Sequence, residues 1–255
     1  MDMSFPLVKY VLIAAFRDRL ILSLIVILLL GSSLALFLGN AAVIEKDQFT
    51  VIFAASGLRF ISVFGLVLFV VFFIRRSFEG KDIEFLLSRP IGRLQIIFSY
   101  ALSFSLLAVF MGLTVGLAVY AVAPHLFGAG HILWITSIIV ESIIMVNAAL
   151  FFSMYISSSA TAALVTSGFY VLARMMGQLL GITDSGLVES TGIYAMALQM
   201  VSVIMPRLDL MGQSSWLIYG AEGSAIGITY IIGQGVVFSA LVLLAASLDF
   251  LRRQF

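Results

Sequence analysis

Apolar residues run along this chain in stretches too long for strands and too uniform for surface helices, and short polar insertions separate them. A run of about 20 apolar residues matches the hydrocarbon core of a bilayer, so each such run reads as a membrane-spanning helix. The pattern places six spans: about Leu20 to Leu38, Gly57 to Ile74, Leu94 to Val122, His131 to Ile156, Ala162 to Gly181 and Ala225 to Leu248. The third exceeds what a bilayer requires and is expected to tilt or protrude. Gly39 to Ser56, with Glu45, Lys46 and Asp47, reads as a loop. Pro124 to Gly130 reads as a turn, and Ser157, Ser158 and Ser159 as a tight connection. Met1 to Leu20 sets Lys9, Arg17 and Arg19 among Phe5, Leu7, Val8, Leu12, Ile13 and Phe16. That mixture predicts a helix in the membrane interface, with the start of one long first helix as the alternative. The long apolar run that follows, and the five after it, argue against a cleaved signal peptide.

Two segments depart from the simple alternation. Gly192 to Met205 is apolar but spans only about 21 Å as a helix, short of the ~30 Å core. It reads as a re-entrant or interfacial helix on the outer side, ended by Pro206, or as a helix lying flat on that surface. Arg75 to Tyr100 is the most charge-dense stretch, with Arg75, Arg76, Glu79, Lys81, Asp82, Glu84, Arg89 and Arg93 close together. Within it Ile83, Phe85, Leu86 and Leu87 are expected on one face of a short helix, with Glu79, Asp82 and Glu84 towards water. Pro90 ends that helix by disfavouring the α conformation at Arg89. A short amphipathic helix of this kind lies on the membrane surface or docks into a partner's groove.

Composition agrees with the pattern. The 255 residues are 62% hydrophobic and 11% charged, with a mean hydropathy of +1.17. The expected class is an all-α polytopic membrane protein, a single membrane domain over residues 1–255 with no sizeable soluble part. The net charge of +1 matters less than where the charges sit. With the N-terminus inside, Lys9, Arg17, Arg19, Arg75, Arg76, Lys81, Arg89, Arg93, Arg252 and Arg253 fall on the inner side. Only Lys46, Arg59 and Arg207 fall on the outer side. The positive-inside rule then makes both termini and the charged segment cytoplasmic, with Trp134, Trp216 and Tyr219 as outer anchors. The chain contains no cysteine, which excludes disulfides and thiol-based metal or redox sites.

Candidate chemistry is sparse. Glu141 in the fourth span and Arg174 in the fifth are intramembrane charges, which are costly and usually paired or functional. Their depths, about 15 and 10 Å from the outer span ends, make a salt bridge between spans four and five the leading expectation. A role in a substrate path, or separate partners for each, are the alternatives. His125 and His131 flank a Gly-rich turn without further ligands, and no metal site is expected there. Gly112/Gly116, Gly177/Gly181 and Gly223/Gly227 are small-xxx-small pairs that permit close helix approach. Met175, Met176, Met196, Met200, Met205 and Met211 either pack in the core or line an adaptable apolar path.

The charged segment carries a resemblance. Phe78-Glu79-Gly80-Lys81-Asp82-Ile83-Glu84-Phe85-Leu86-Leu87-Ser88-Arg89-Pro90-Ile91-Gly92-Arg93 resembles the signature of type-2 ABC exporter permeases, the ABC-2 family, at Glu79, Glu84, Leu86, Leu87, Ser88, Pro90 and Arg93. A weaker likeness lies in Pro206-Arg207-Leu208-Asp209-Leu210 and in Trp216-Leu217-Ile218-Tyr219-Gly220. Asp82 stands where the family usually has Thr, and Ser99 and Tyr100 stand where a lysine often enters the third span. The resemblance implies six spans, a cytoplasmic coupling helix between spans two and three, and a re-entrant outer hairpin, including Pro206 and Asp209, between spans five and six. It implies that Glu79, Asp82, Glu84, Leu86, Leu87, Arg89, Pro90 and Arg93 couple the chain to a cytoplasmic ATPase. The expected assembly holds two ATPase subunits and a second permease, identical or paralogous, in a bacterial inner membrane.

Within this chain no catalytic residue and no cofactor are expected; ATP and Mg would sit on the ATPase. The only Gly-Lys pair, Gly80-Lys81, is followed by Asp82, and Arg75 stands where a P-loop needs its first Gly. The partners expected are thus the ATPase, the second permease and the lipid bilayer, without nucleic acid. The function implied is the permease of an ATP-driven exporter, moving a substrate that an apolar path would suit if it were lipid-like. The alternative is a non-transporting anchor or mechanotransmitting subunit of an envelope complex with the same fold. An ion-coupled secondary transporter would need inverted repeats and a midplane polar cluster, and the pattern displays neither beyond Glu141, Asn147 and Arg174.

Overall fold

The computed structural model describes residues 5–41, 45–87, 92–184, 193–222 and 226–252. Ten α-helices and two short 3₁₀ turns account for the regular structure among them, with no strand. The helices are α1 Phe5–Arg17, α2 Arg19–Ala41, α3 Lys46–Glu79, α4 Asp82–Leu87 and α5 Arg93–Val122. They continue with α6 Ala129–Tyr155, α7 Ser159–Asp184, α8 Ile193–Ile204, α9 Ser215–Tyr219 and α10 Ile228–Arg252. Six of them, α2, α3, α5, α6, α7 and α10, are long and apolar enough to cross a membrane. The architecture is that of an all-helical integral membrane protein.

The bundle has an inner and an outer layer. α6 is central and packs against α3, α5, α7, α9 and α10. In its most apolar window 61% of residues are buried, against 22% in α2 and in α10. The outer helices keep Leu22, Leu29, Leu30 and Phe37 of α2, and Val236, Leu241 and Leu248 of α10, exposed. Such uniform apolar exposure suits hydrocarbon as solvent. Between α5 and α6 the sequence pair Gly112/Gly116 marks a true close approach. A Cβ at Gly116 would sit 2.7 Å from Ile135, and one at Gly112 2.5 Å from Ile139, so the two helices meet backbone to side chain. The other two pairs do not act this way: Gly181 and Gly227 face open space, and Gly223 lies outside the described residues.

The N-terminal segment is a separate helix. α1 buries Leu7, Val8, Val11 and Ala15, one face at helical spacing, chiefly against α5. The chain breaks at Asp18, whose Oδ1 accepts a bond from the Leu20 N–H at 2.9 Å and so caps the start of α2. The stretch from Gly39 to Ser56, expected as a loop, is helical at both ends, with α2 running to Ala41 and α3 beginning at Lys46. Lys46 and Asp47 belong to the first turn of α3, where Asp47 complements the helix dipole. Gly39 packs on the Thr50 side chain, closing a tight antiparallel α2–α3 hairpin. At 34 residues, α3 is about 51 Å long, well beyond a bilayer core. Pro124–Leu126 forms a 3₁₀ turn, and Ser158 starts α7, accepting the Thr161 N–H at 3.4 Å.

The charged segment is a helix–turn–helix rather than one run. α3 continues to Glu79, and Gly80 and Lys81 turn the chain, Lys81 at φ 59°. α4 then spans Asp82 to Leu87, with Ile83 buried and Phe85 exposed. The expected common apolar face is therefore split, because Phe85, two positions on from Ile83, points to nearly the opposite side of an α-helix, while Leu86, three positions on, is half-buried. Trp134 also departs from its expected place at an exposed interface. It is fully buried on a face of α6 turned into the bundle, while Ile132 and Tyr155 of the same helix stay exposed.

Candidate functional site

The densest buried polar cluster among the described residues lies where the segment after α8 meets the middle of the bundle. Residues Met205 to Ser214 are not α-helical, and their backbone carbonyls need partners if they are to be buried. Two arginines supply them. Arg59, thirteen residues into α3, donates from Nη1 to the Gly212 carbonyl at 2.6 Å and from Nη2 to the Met211 carbonyl at 3.1 Å. Arg174 of α7 donates from Nη1 to the Met211 carbonyl at 2.7 Å and also to the Leu208 carbonyl.

Glu141 of α6 completes the cluster. Its Oε2 accepts from Arg59 Nε at 2.7 Å and from Arg59 Nη2, and both side chains are almost wholly buried. Glu141 sits twelve residues into α6, about 18 Å along the axis. The expected Glu141–Arg174 salt bridge is thus replaced by Glu141–Arg59, with Arg174 given over to carbonyls. The reason is packing order: α6 touches both α3 and α7, and the Arg59 fork is aligned with the carboxylate while Arg174 meets the incoming loop.

Arg59 is the residue that sequence reasoning missed. Counting it among the charges flanking the second span hid it. The signal was present, because Thr50 to Ile74 is a single apolar run with Arg59 inside it.

The loop is further locked by its own residues. Arg207 and Asp209 form a two-pronged pair, Nε to Oδ1 at 2.9 Å and Nη2 to Oδ2 at 2.8 Å. Donating these bonds to the Asp209 carboxylate pushes the Arg207 guanidinium above its ordinary pKa. Pro206 is buried at the end of α8, and Asp209 rests against Gly177 of α7. Gly212 holds φ at +57°, and a Cβ there would meet the Arg59 guanidinium carbon at 2.5 Å. Only glycine satisfies both demands. The Ser214 and Ser56 hydroxyls lie 3.2 Å apart.

The residues expected to couple to an ATPase lie elsewhere. Glu79 is twenty residues along α3 from Arg59, about 30 Å away. Glu79 and Asp82 are exposed and Leu86 is half-buried. Glu84 and Leu87 belong to α4, but their side chains lie outside the described residues, as do Arg89 and Pro90 entirely. Arg93 opens α5 and donates from Nη1 to the Phe250 and Leu251 carbonyls at 3.3 and 3.4 Å, tying that end of the bundle to α10.

The methionines do not line one path. Met176, Met205 and Met211 are buried, whereas Met175, Met196 and Met200 are exposed. His125 faces Asp47 at 3.4 Å while His131 is buried, and no described group of three acidic, His or Cys side chains could hold a metal. No family model matches the chain, and no curated protein matches it at significant similarity.

Proposed function

We propose that this chain is the permease subunit of an ATP-driven type-2 ABC exporter, energised by a separate cytoplasmic ATPase and paired with a second permease. The observation that carries the reading is the Phe78–Arg93 motif together with the form of its backbone. A short helix, Asp82–Leu87, is turned off the end of a long span at Lys81, as a coupling helix would be. On this reading α1 is interfacial, the termini are cytoplasmic, and α8 with the loop at Met205–Ser214 is a re-entrant outer hairpin. Support for the hairpin is that its loop reaches side chains about 18 Å down α6, with its carbonyls met by Arg59 and Arg174.

The test is a photo-crosslinking residue at position 82 in native membranes. The expected adduct is a P-loop ATPase, whose ATP-driven activity in the reconstituted complex is lost in Leu86→Asp although the permease still inserts. Adducts only to lipid, or full activity in Leu86→Asp, would overturn the proposal.

A further inference from the structure

A cleft of about 220 Å³ opens beside the buried charge cluster, between α3 and α7. Its volume is well above the ~10–15 Å³ of probe space that one water requires. The polar groups lining it are Arg59, Arg174, Tyr170 and Ser56. All four carry hydrogen-bond donors, and no carboxylate lines the cleft. Glu141 is absent from the lining because it lies behind the Arg59 guanidinium that it binds.

Charge points the same way. Arg207 and Asp209 cancel one another, while Arg59 and Arg174 face the single carboxylate of Glu141. One positive charge is left over in a bundle whose neighbours are apolar, where unbalanced charge is expensive. Among the described residues Arg174 bonds only through Nη1, which leaves Nε and Nη2 of its fork for a ligand. The mouth of the cleft is rimmed by Phe60, Val171 and Met175, each substantially exposed on the side of the bundle. In an integral membrane protein a lateral apolar mouth admits a lipid more readily than a solute from water.

We propose that this cleft binds the anionic head group of a lipid, a phosphate ester held by the open Nε and Nη2 of Arg174, with the acyl chain laid outward over Phe60, Val171 and Met175. Ser56 donates to a remaining phosphate oxygen. The site goes beyond the exporter reading and is tested on this chain alone, so failure of the ATPase coupling leaves it standing.

The full-length protein in a neutral detergent is titrated with phosphatidic acid, with phosphatidylcholine of the same chains, and with inorganic phosphate. Binding is read by native mass spectrometry and by thermal stabilisation. Phosphatidic acid is expected to bind about tenfold or more tightly than phosphatidylcholine, the discrimination of at least one charge-assisted contact, and inorganic phosphate to compete poorly. Arg174→Gln should weaken phosphatidic acid by about ten- to a hundredfold. Ser56→Asp, which places a carboxylate in the cleft and leaves the Arg174–carbonyl bonds in place, should abolish the preference for the anionic lipid. Equal affinity for the two lipids, or an unchanged preference in Ser56→Asp, overturns the site. Inorganic phosphate displacing the lipid at comparable concentration overturns the lipid as its occupant.

Discussion

The two halves of α3 hold the same bundle together by different physics. Towards Glu79, Phe69 and Phe73 pack edge-on against Phe104 of α5, with Tyr100 stacked on Phe104 at 6.0 Å. Phe69 and Phe104 are fully buried, and their contacts are non-directional apart from ring geometry. Ten residues away, Arg59 binds one carboxylate and two carbonyls in fixed directions. The aromatic half can be repacked by many side chains of similar volume. The charged half accepts almost none, because each donor of the Arg59 fork has a designated acceptor and a lost partner leaves a buried charge exposed to hydrocarbon-like surroundings.

The largest effect should come from breaking the pair on one side. Glu141→Gln or Arg59→Met alone should each cost about 3–5 kcal/mol, the range for orphaning a buried charge. The double change should recover part of that loss but not all, because the Met211 and Gly212 carbonyls lose their donor as well. A melting-temperature cycle over the four proteins checks this, and strict additivity would dissolve the contrast between the halves. Next in size is Gly212→Ala, expected to cost about 1–3 kcal/mol for its strained backbone and to loosen the loop, read as faster proteolysis after α8. In the aromatic half, Phe69→Leu should cost less than about 1.5 kcal/mol. A loss as large as that of Arg59→Met would show that the aromatic half is as unforgiving as the charged one. The smallest change is Ser214→Ala, within about 0.5 kcal/mol, because the Ser56–Ser214 contact is exposed. That outcome would show that polarity matters here only when it is buried and charged.

Much of the fold was legible along the chain. The six apolar runs became the six long helices, with the ends of the third to fifth within a few residues. The Ser157–Ser159 connection and the Pro124 turn stood where expected. The loop before α3 was misjudged because Glu45, Lys46 and Asp47 look like a break, whereas a charged first turn is compatible with a helix start. The separate α1 was foreseen as one of two readings, and the Asp18 cap decided it. At the candidate site, Glu141 and Arg174 were recognisable as unusual from their place inside apolar runs, and Arg59 was overlooked as a flanking charge.

Hydropathy and turn residues act within a few neighbouring positions, which is enough to specify long apolar helices and most of their breaks, and to mark Glu141 and Arg174 as charges buried at a cost. The sequence by itself did not determine which charge meets which. In a bilayer the lipid tails are as apolar as the helix faces, so burial of hydrocarbon does not select their neighbours. Only the tertiary structure, by setting α6 between α3 and α7 and returning the loop after α8 to their middle, decided that Glu141 pairs with Arg59 and that Arg174 serves the carbonyls of Leu208 and Met211. Directional bonds across 82 positions of sequence depend on helix neighbours and on depth, and neither is written in local periodicity.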